Sequence, residues 1–128
     1  MGVELYVILQ KTIPTTGDYA ETKALVWALP NLDLMAQKLG VTPMSMYMPV
    51  TAKDIEFLRS RGIPCNEKPR GGWHAASEGL RTVRAMIKEL NPKKKDIEHR
   101  HVLDGLKYVE QQLTIADEHG VQFYFLAQ

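Results

Sequence analysis

Arg70-Gly71-Gly72-Trp73-His74 immediately precedes a helix-like run that carries Ser77, Glu78, Arg81 and Arg84, and this stretch concentrates groups able to do chemistry. The first N–H groups of a helix lack intrahelical partners and carry partial positive charge, and glycines let a ligand approach the backbone, so the composition is that of an anion site. In such a site Arg70 would clamp a phosphate or carboxylate bidentately, Trp73 would stack on a ring and His74 would move a proton. Arg81 and Arg84, three apart on one helical face, would converge on the same anion. The plainer reading is a Gly-Gly turn that redirects the chain, with Trp73 plugging the core. Neither Gly-x-x-x-x-Gly-Lys nor Gly-x-Gly-x-x-Gly occurs here, so the chain carries no nucleotide-binding signature.

Other constellations are weaker. His74 and Glu78, four apart, share a helical face and have the spacing of two metal ligands, with His99, His101 and Cys65 as the residues that would complete a set. His99 and His101, two apart, point to nearly opposite sides of a helix and cannot chelate one ion together, so no metal and no cofactor is expected. Neither Cys65 nor Ser77 sits in a nucleophile elbow or a catalytic-cysteine context, and Asp54/Glu56 and Asp117/Glu118 are accounted for by helix ends and solvated faces. No catalytic residue is assigned, and the balance leans away from an enzyme. Four of the six methionines fall at Met35, Met44, Met46 and Met48, and because methionine recurs at adaptable binding surfaces, Met44, Met46, Tyr47 and Met48 form the candidate partner surface.

These groups must be positioned by a small set of elements. Val3–Leu9 and Val121–Leu126 are β-branched and aromatic, apolar enough to predict two terminal strands covered on both faces. Tyr19–Leu29 reads as a helix with Ala20, Ala24 or Leu25, and Ala28 inward, stopped by Pro30. A second short helix, capped by Asn31 or Asp33, would turn Leu34, Met35 and Leu39 inward and end at Gly40. Met44–Met48 is one helical turn or an edge strand. Thr51 with Asp54 at the third helical position predicts a capping box. Pro64–Gly72 is a long irregular loop. Ala76, Leu80, Val83, Ile87 and Leu90 predict a helix over about 75–90, and Val102, Leu106, Val109, Leu113 and Ala116 one over about 97–119, both striped at four-three spacing. Two terminal strands pairing under these helices give an α+β domain, mostly helical, with about five helical segments on a small sheet.

The whole chain of 128 residues is long enough for one core and carries a formal charge of +1, which gives no global steering toward nucleic acid or an anionic membrane. That total hides a polarity: residues 1–67 carry −1, residues 68–95 carry +6 and residues 96–128 carry −4. Helix-end lysines and the run Lys93–Lys95 explain part of the basic block, and Lys93–Lys95 is the one place where nucleic acid would make contact, which is not the expected role. Arg70, Arg81 and Arg84 are left over. One cysteine excludes an intrachain disulfide and favours a reducing, cytoplasmic setting. No apolar run approaches the length of a membrane span, roughly 20 residues.

Leu34, Ala36 and Leu39-Gly40-Val41-x-Pro43, together with Trp73-His74-x-x-x-Glu78-Gly79-Leu80-x-Thr82-Val83-Arg84-Ala85, resemble small uncharacterised bacterial proteins of similar length. The resemblance implies no reaction. From the residues themselves the expected function is a non-catalytic interaction or accessory module, self-associating or with a protein partner. The alternative is a binder of a small phosphate or carboxylate, or an enzyme acting on one, at Arg70–His74 and the helix that follows.

Overall fold

The computed structural model describes residues 3–13, 22–63, 72–90 and 97–127. In chain order the elements are β1 (Leu5–Leu9), α1 (Lys23–Leu39), a 3₁₀ turn (Met44–Tyr47), α2 (Ala52–Ser60), α3 (Ala76–Leu90), α4 (Ile97–Glu118) and β2 (Phe123–Ala127). β1 and β2 pair antiparallel, with Leu5 opposite Ala127 and Leu9 opposite Phe123. The fold is α+β and mostly helical, on a sheet made by the two terminal strands, with four α-helices among the described residues rather than five.

The striped helices form the centre. Ala76, Leu80, Val83 and Leu90 of α3 face Leu106, Val109, Leu113 and Ala116 of α4, all buried, and this is the most extensive contact between helices. Both pack on one face of the sheet, where Leu5, Phe123 and Phe125 complete the core. Gly79 lets α3 approach β2 closely: a Cβ there would lie 2.5 Å from the ring of Phe123. At the edge of β1, the Leu5 N–H donates to Thr22 Oγ1 and the same hydroxyl donates to Leu5 O, both at 2.9 Å, which ties the strand to the start of α1.

Among the described residues, the helices cover only one face of the sheet. Tyr6 and Ile8 of β1 and their partners Leu126 and Tyr124 of β2 point away from the helices; Tyr6 is 41% exposed and the other three are half-buried. All the striped helical surface goes to the inner face. Among the described residues, the outer apolar face has Trp73 packed on Tyr124, with ring centroids 4.9 Å apart.

Pro30 does not stop a helix. α1 runs through it for 17 residues, and Leu25, Leu32 and Ala36 form one buried stripe that continues across it. Proline in a helix interior removes one hydrogen bond and crowds the carbonyl four residues back, at about 3 kcal/mol. Here Pro30 is on the exposed side, where water can satisfy that carbonyl, and burial of the stripe offsets the cost. Leu34 and Leu39, expected inside, are therefore 58% and 39% exposed. Asp33 caps no second helix; its carboxylate accepts from the Ser45 N–H at 3.3 Å and anchors the 3₁₀ turn. The C-terminus of α1 matches the expectation: Gly40 is left-handed, with φ 72°. Beyond it the Val41 N–H donates to Ala36 O at 3.0 Å. The capping box of α2 is also formed, the Asp54 N–H donating to Thr51 Oγ1 and the Thr51 N–H to Asp54 Oδ2.

Candidate functional site

Residues 73 and 74 lie just before α3, and the backbone fixes where their side chains go. The His74 N–H donates to Phe123 O and the Phe123 N–H to His74 O, both at 2.9 Å, so His74 pairs with the edge of β2 that β1 does not use. Neighbouring residues on extended backbone project to opposite faces. His74 accordingly turns inward, edge-on to Tyr47 with centroids 5.1 Å apart, while Trp73 turns outward onto Tyr124. Trp73 is 40% exposed and does not plug the core.

Beside His74 opens a cleft of about 330 Å³ between the segment that follows α1 and the first turns of α3. Val41, Thr42, Met46 and Tyr47 form one wall; His74, Glu78, Arg81 and Thr82 form the other. Thr82 Oγ1 donates to Thr42 O at 2.7 Å and closes the back, tying the two walls together. Tyr47 is 3% exposed, held between His74, Phe123 and Phe125, and its hydroxyl has no hydrogen-bond partner among the described residues. A buried hydroxyl without a partner costs about 1–3 kcal/mol, so a tyrosine on a cleft wall in this state is suited to meet water or a ligand. Arg81 and Glu78 make no ion pair with a described residue.

The expected site residues divide. His74 and Arg81 line the cleft together. Ser77 is exposed but lines no part of it, Gly72 supplies the left-handed turn before Trp73 (φ 114°), and Arg70 and Gly71 lie outside the described residues. Arg84 does not converge with Arg81. Three residues further along the helix it is rotated toward α4, where Arg84 Nε lies 3.4 Å from Glu110 Oε2. Of the methionine window, Met44 is fully buried and Tyr47 nearly so, Met48 is half-buried, and Met46, 45% exposed, lines the cleft. Met44 and Tyr47 therefore cannot be a partner surface. The reason is the 3₁₀ turn, which directs side chains three apart to one side, here the core.

His74 and Glu78 share the cleft, but among the described residues no group of three His, Cys, Asp or Glu is placed to hold a metal ion. Cys65 and Lys93–Lys95 lie outside the described residues, and no helix described is long and apolar enough to cross a membrane. Glu78, Thr42, Tyr47 and Thr82 are functional candidates that spacing along the chain does not join to His74 and Arg81 as an anion site. Glu78 stands in the stretch that the sequence singles out, three residues before Arg81, and Thr82 follows Arg81 directly; Thr42 and Tyr47 come from contacts made only on folding. Comparison with protein-family models, curated proteins and solved structures finds no match.

Proposed function

We propose that the protein binds a small organic anion, a carboxylate or phosphate ester that also carries a hydroxyl or amino group, in the cleft lined by Tyr47, His74, Glu78 and Arg81. The observation that carries this reading is the convergence of a cation, a carboxylate, an imidazole and a buried tyrosine, whose hydroxyl has no hydrogen-bond partner among the described residues, on one concavity of about 330 Å³. That volume is at the small end for ligand sites. Arg81 supplies a bidentate partner for the anion, Glu78 accepts from the ligand's donor, Tyr47 and His74 orient it, and Met46 and Val41 cover its carbon skeleton.

The test is a thermal-shift panel of small phosphate esters and hydroxy- or amino-carboxylates. A ligand at a hundredfold excess over its Kd stabilises by about 2.7 kcal/mol, and Arg81→Ala is expected to abolish the rise in Tm. No shift across the panel, or a shift that survives Arg81→Ala, overturns it.

A second reading, a protein-interaction module, is favoured by the outer sheet face of Tyr6, Ile8, Tyr124 and Leu126 with Trp73 at its edge. Contiguous apolar surface of this kind marks contact sites. Ile8→Lys places a charge at its centre; a complex seen by light scattering with the native chain and retained by this variant counts against the face.

A further inference from the structure

Glu78 and Arg81 line the polar cleft from neighbouring turns of α3, a carboxylate and a guanidinium on one helical face. Side chains three apart on a helix have Cβ atoms roughly 5–6 Å apart, near enough for a glutamate and an arginine to pair. These two make no ion pair with each other or with any other described residue. Arg84, three residues further on, does pair, its Nε lying 3.4 Å from Glu110 Oε2. The arginine turned toward α4 is thus matched to a carboxylate, whereas the arginine in the cleft stays open beside one. Both cleft charges are exposed to solvent and hence to a ligand.

Two opposite charges left open side by side restrict what the cleft can take. A guanidinium only donates hydrogen bonds, and an ionised carboxylate only accepts them. A ligand with an anion alone meets Arg81 but brings its negative charge against Glu78, and like charges at such range repel. A hydroxyl on that ligand can donate to Glu78, yet it carries no charge to offset the repulsion. A ligand with a cation beside its anion satisfies both residues at once, through charge-assisted hydrogen bonds at each end.

Because the two charges sit on adjacent turns of one helix, those of the ligand must also lie close together, on the same or neighbouring carbons, not at the two ends of a peptide. A cleft of about 330 Å³, small for a ligand site, sets the same limit. Resting on the anion site proposed for this cleft, we infer that its ligand is a zwitterion, a free amino acid or an equally small amino phosphate ester, with the anion on Arg81 and the ammonium on Glu78. Glu78 lies toward the His74 end of the wall and Arg81 beside Thr82, so the ammonium sits nearer His74 and the anion nearer the Thr82–Thr42 tie.

The test is calorimetric titration of the intact chain with matched pairs in which a hydroxyl replaces the ammonium: L-alanine and L-lactate, L-serine and L-glycerate, aminoethyl phosphate and hydroxyethyl phosphate. The amino member should bind roughly tenfold more tightly than its hydroxy partner, and the pairs that bind show whether the anion is a carboxylate or a phosphate. Glu78→Gln keeps the shape of the side chain and removes its charge. It should bring the preference down to near parity while the hydroxy members bind as well as before or better, which also shows that the variant is folded. Arg81→Ala should lose both members of each pair. Hydroxy members that match their amino partners on the native chain, or a preference that survives Glu78→Gln, overturn the zwitterion and leave the anion site standing. Binding by neither member of any pair overturns the anion site and the zwitterion with it.

Discussion

Two clefts of nearly equal size, about 330 and 310 Å³, border α1, and they differ in chemistry. The one past its C-terminus is lined by Glu78, His74 and Arg81, with a buried tyrosine at its wall; the one along its flank has Ala24, Ala28, Val102 and Asn31 beside the solvent-exposed indole of Trp27. Charged groups held apart in a concavity discriminate among small molecules that bring their own charges. An uncharged hollow with a ring beside it discriminates by shape. Volume alone therefore does not say what a cleft takes.

The largest expected effect separates the two by destroying one. Phe123 is fully buried beneath the polar cleft, 5.3 Å from Tyr47 and 6.2 Å from His74 between ring centroids. Phe123→Ala should cost about 3–5 kcal/mol in urea denaturation. It should also remove the ligand-induced rise in Tm, since both rings lose their support. The emission of Trp27, read in a Trp73→Phe background, should be unchanged below the lowered Tm. If it shifts in the folded variant, the clefts are coupled through the core and their independence fails.

A crossed pair of variants separates them more finely. Arg81→Ala should remove the ligand response, and Trp27→Ala should leave it intact. The clefts share no lining residue. In chemical denaturation the double variant should therefore show the two single-variant stability changes added together, within about 0.5 kcal/mol. A smaller effect comes from Arg84, the arginine that the sequence groups with Arg81. Its side chain is 56% exposed and that of its partner Glu110 is 33% exposed. For so open a pair, Arg84→Ala should cost less than about 1 kcal/mol by chemical denaturation. Ligand response should be unchanged. A lost response would return Arg84 to the site and contradict the geometry.

Spacing made the long-range parts of this fold legible wherever a regular pattern was uninterrupted. Ala76, Leu80, Val83 and Leu90, and Leu106, Val109, Leu113 and Ala116, are buried where the stripes put them, Ile87 and Val102 only half so, and the left-handed Gly40 and the Thr51–Asp54 box marked helix ends whose chemistry is local. Pro30 broke the pattern in one dimension only. Read as a stop, it cut the heptad that joins Trp27 to Leu34, so the exposed side of α1 that carries both could not be seen; with a continuous helix the same residues give it at once. The polar cleft was half legible. His74 and Arg81 lie on one stretch of chain, whereas Tyr47 and Thr42 reach it across the fold, through the bridge of His74 to β2 and the Thr82–Thr42 hydrogen bond. Arg84 was grouped with Arg81 because spacing of three keeps two side chains near one face but says nothing of a carboxylate waiting on α4.

α2 lines neither cleft and so provides the control with the smallest effect. Its box holds the Asp54 carboxylate below its ordinary range, first through the hydrogen bond from the Thr51 backbone N–H and then through the Thr51 side chain. A carboxylate whose folded pKa is depressed binds fewer protons in the folded chain than in the unfolded one, so its contribution to stability is present above the unfolded value of about 4 and is lost as pH falls through the folded one. Asp54→Ala should therefore be less stable than the native chain at neutral pH, with the gap closing as pH drops below about 4. Denaturation curves taken from neutral pH into acid check this, and a gap that stays constant or widens in acid would show that the box holds α2 by something other than its charge. Ligand response at neutral pH should match the native chain; if it moves with Asp54, the segment from Tyr47 to Thr51 transmits strain from α2 into the polar cleft, and that cleft is not the independent site its lining describes.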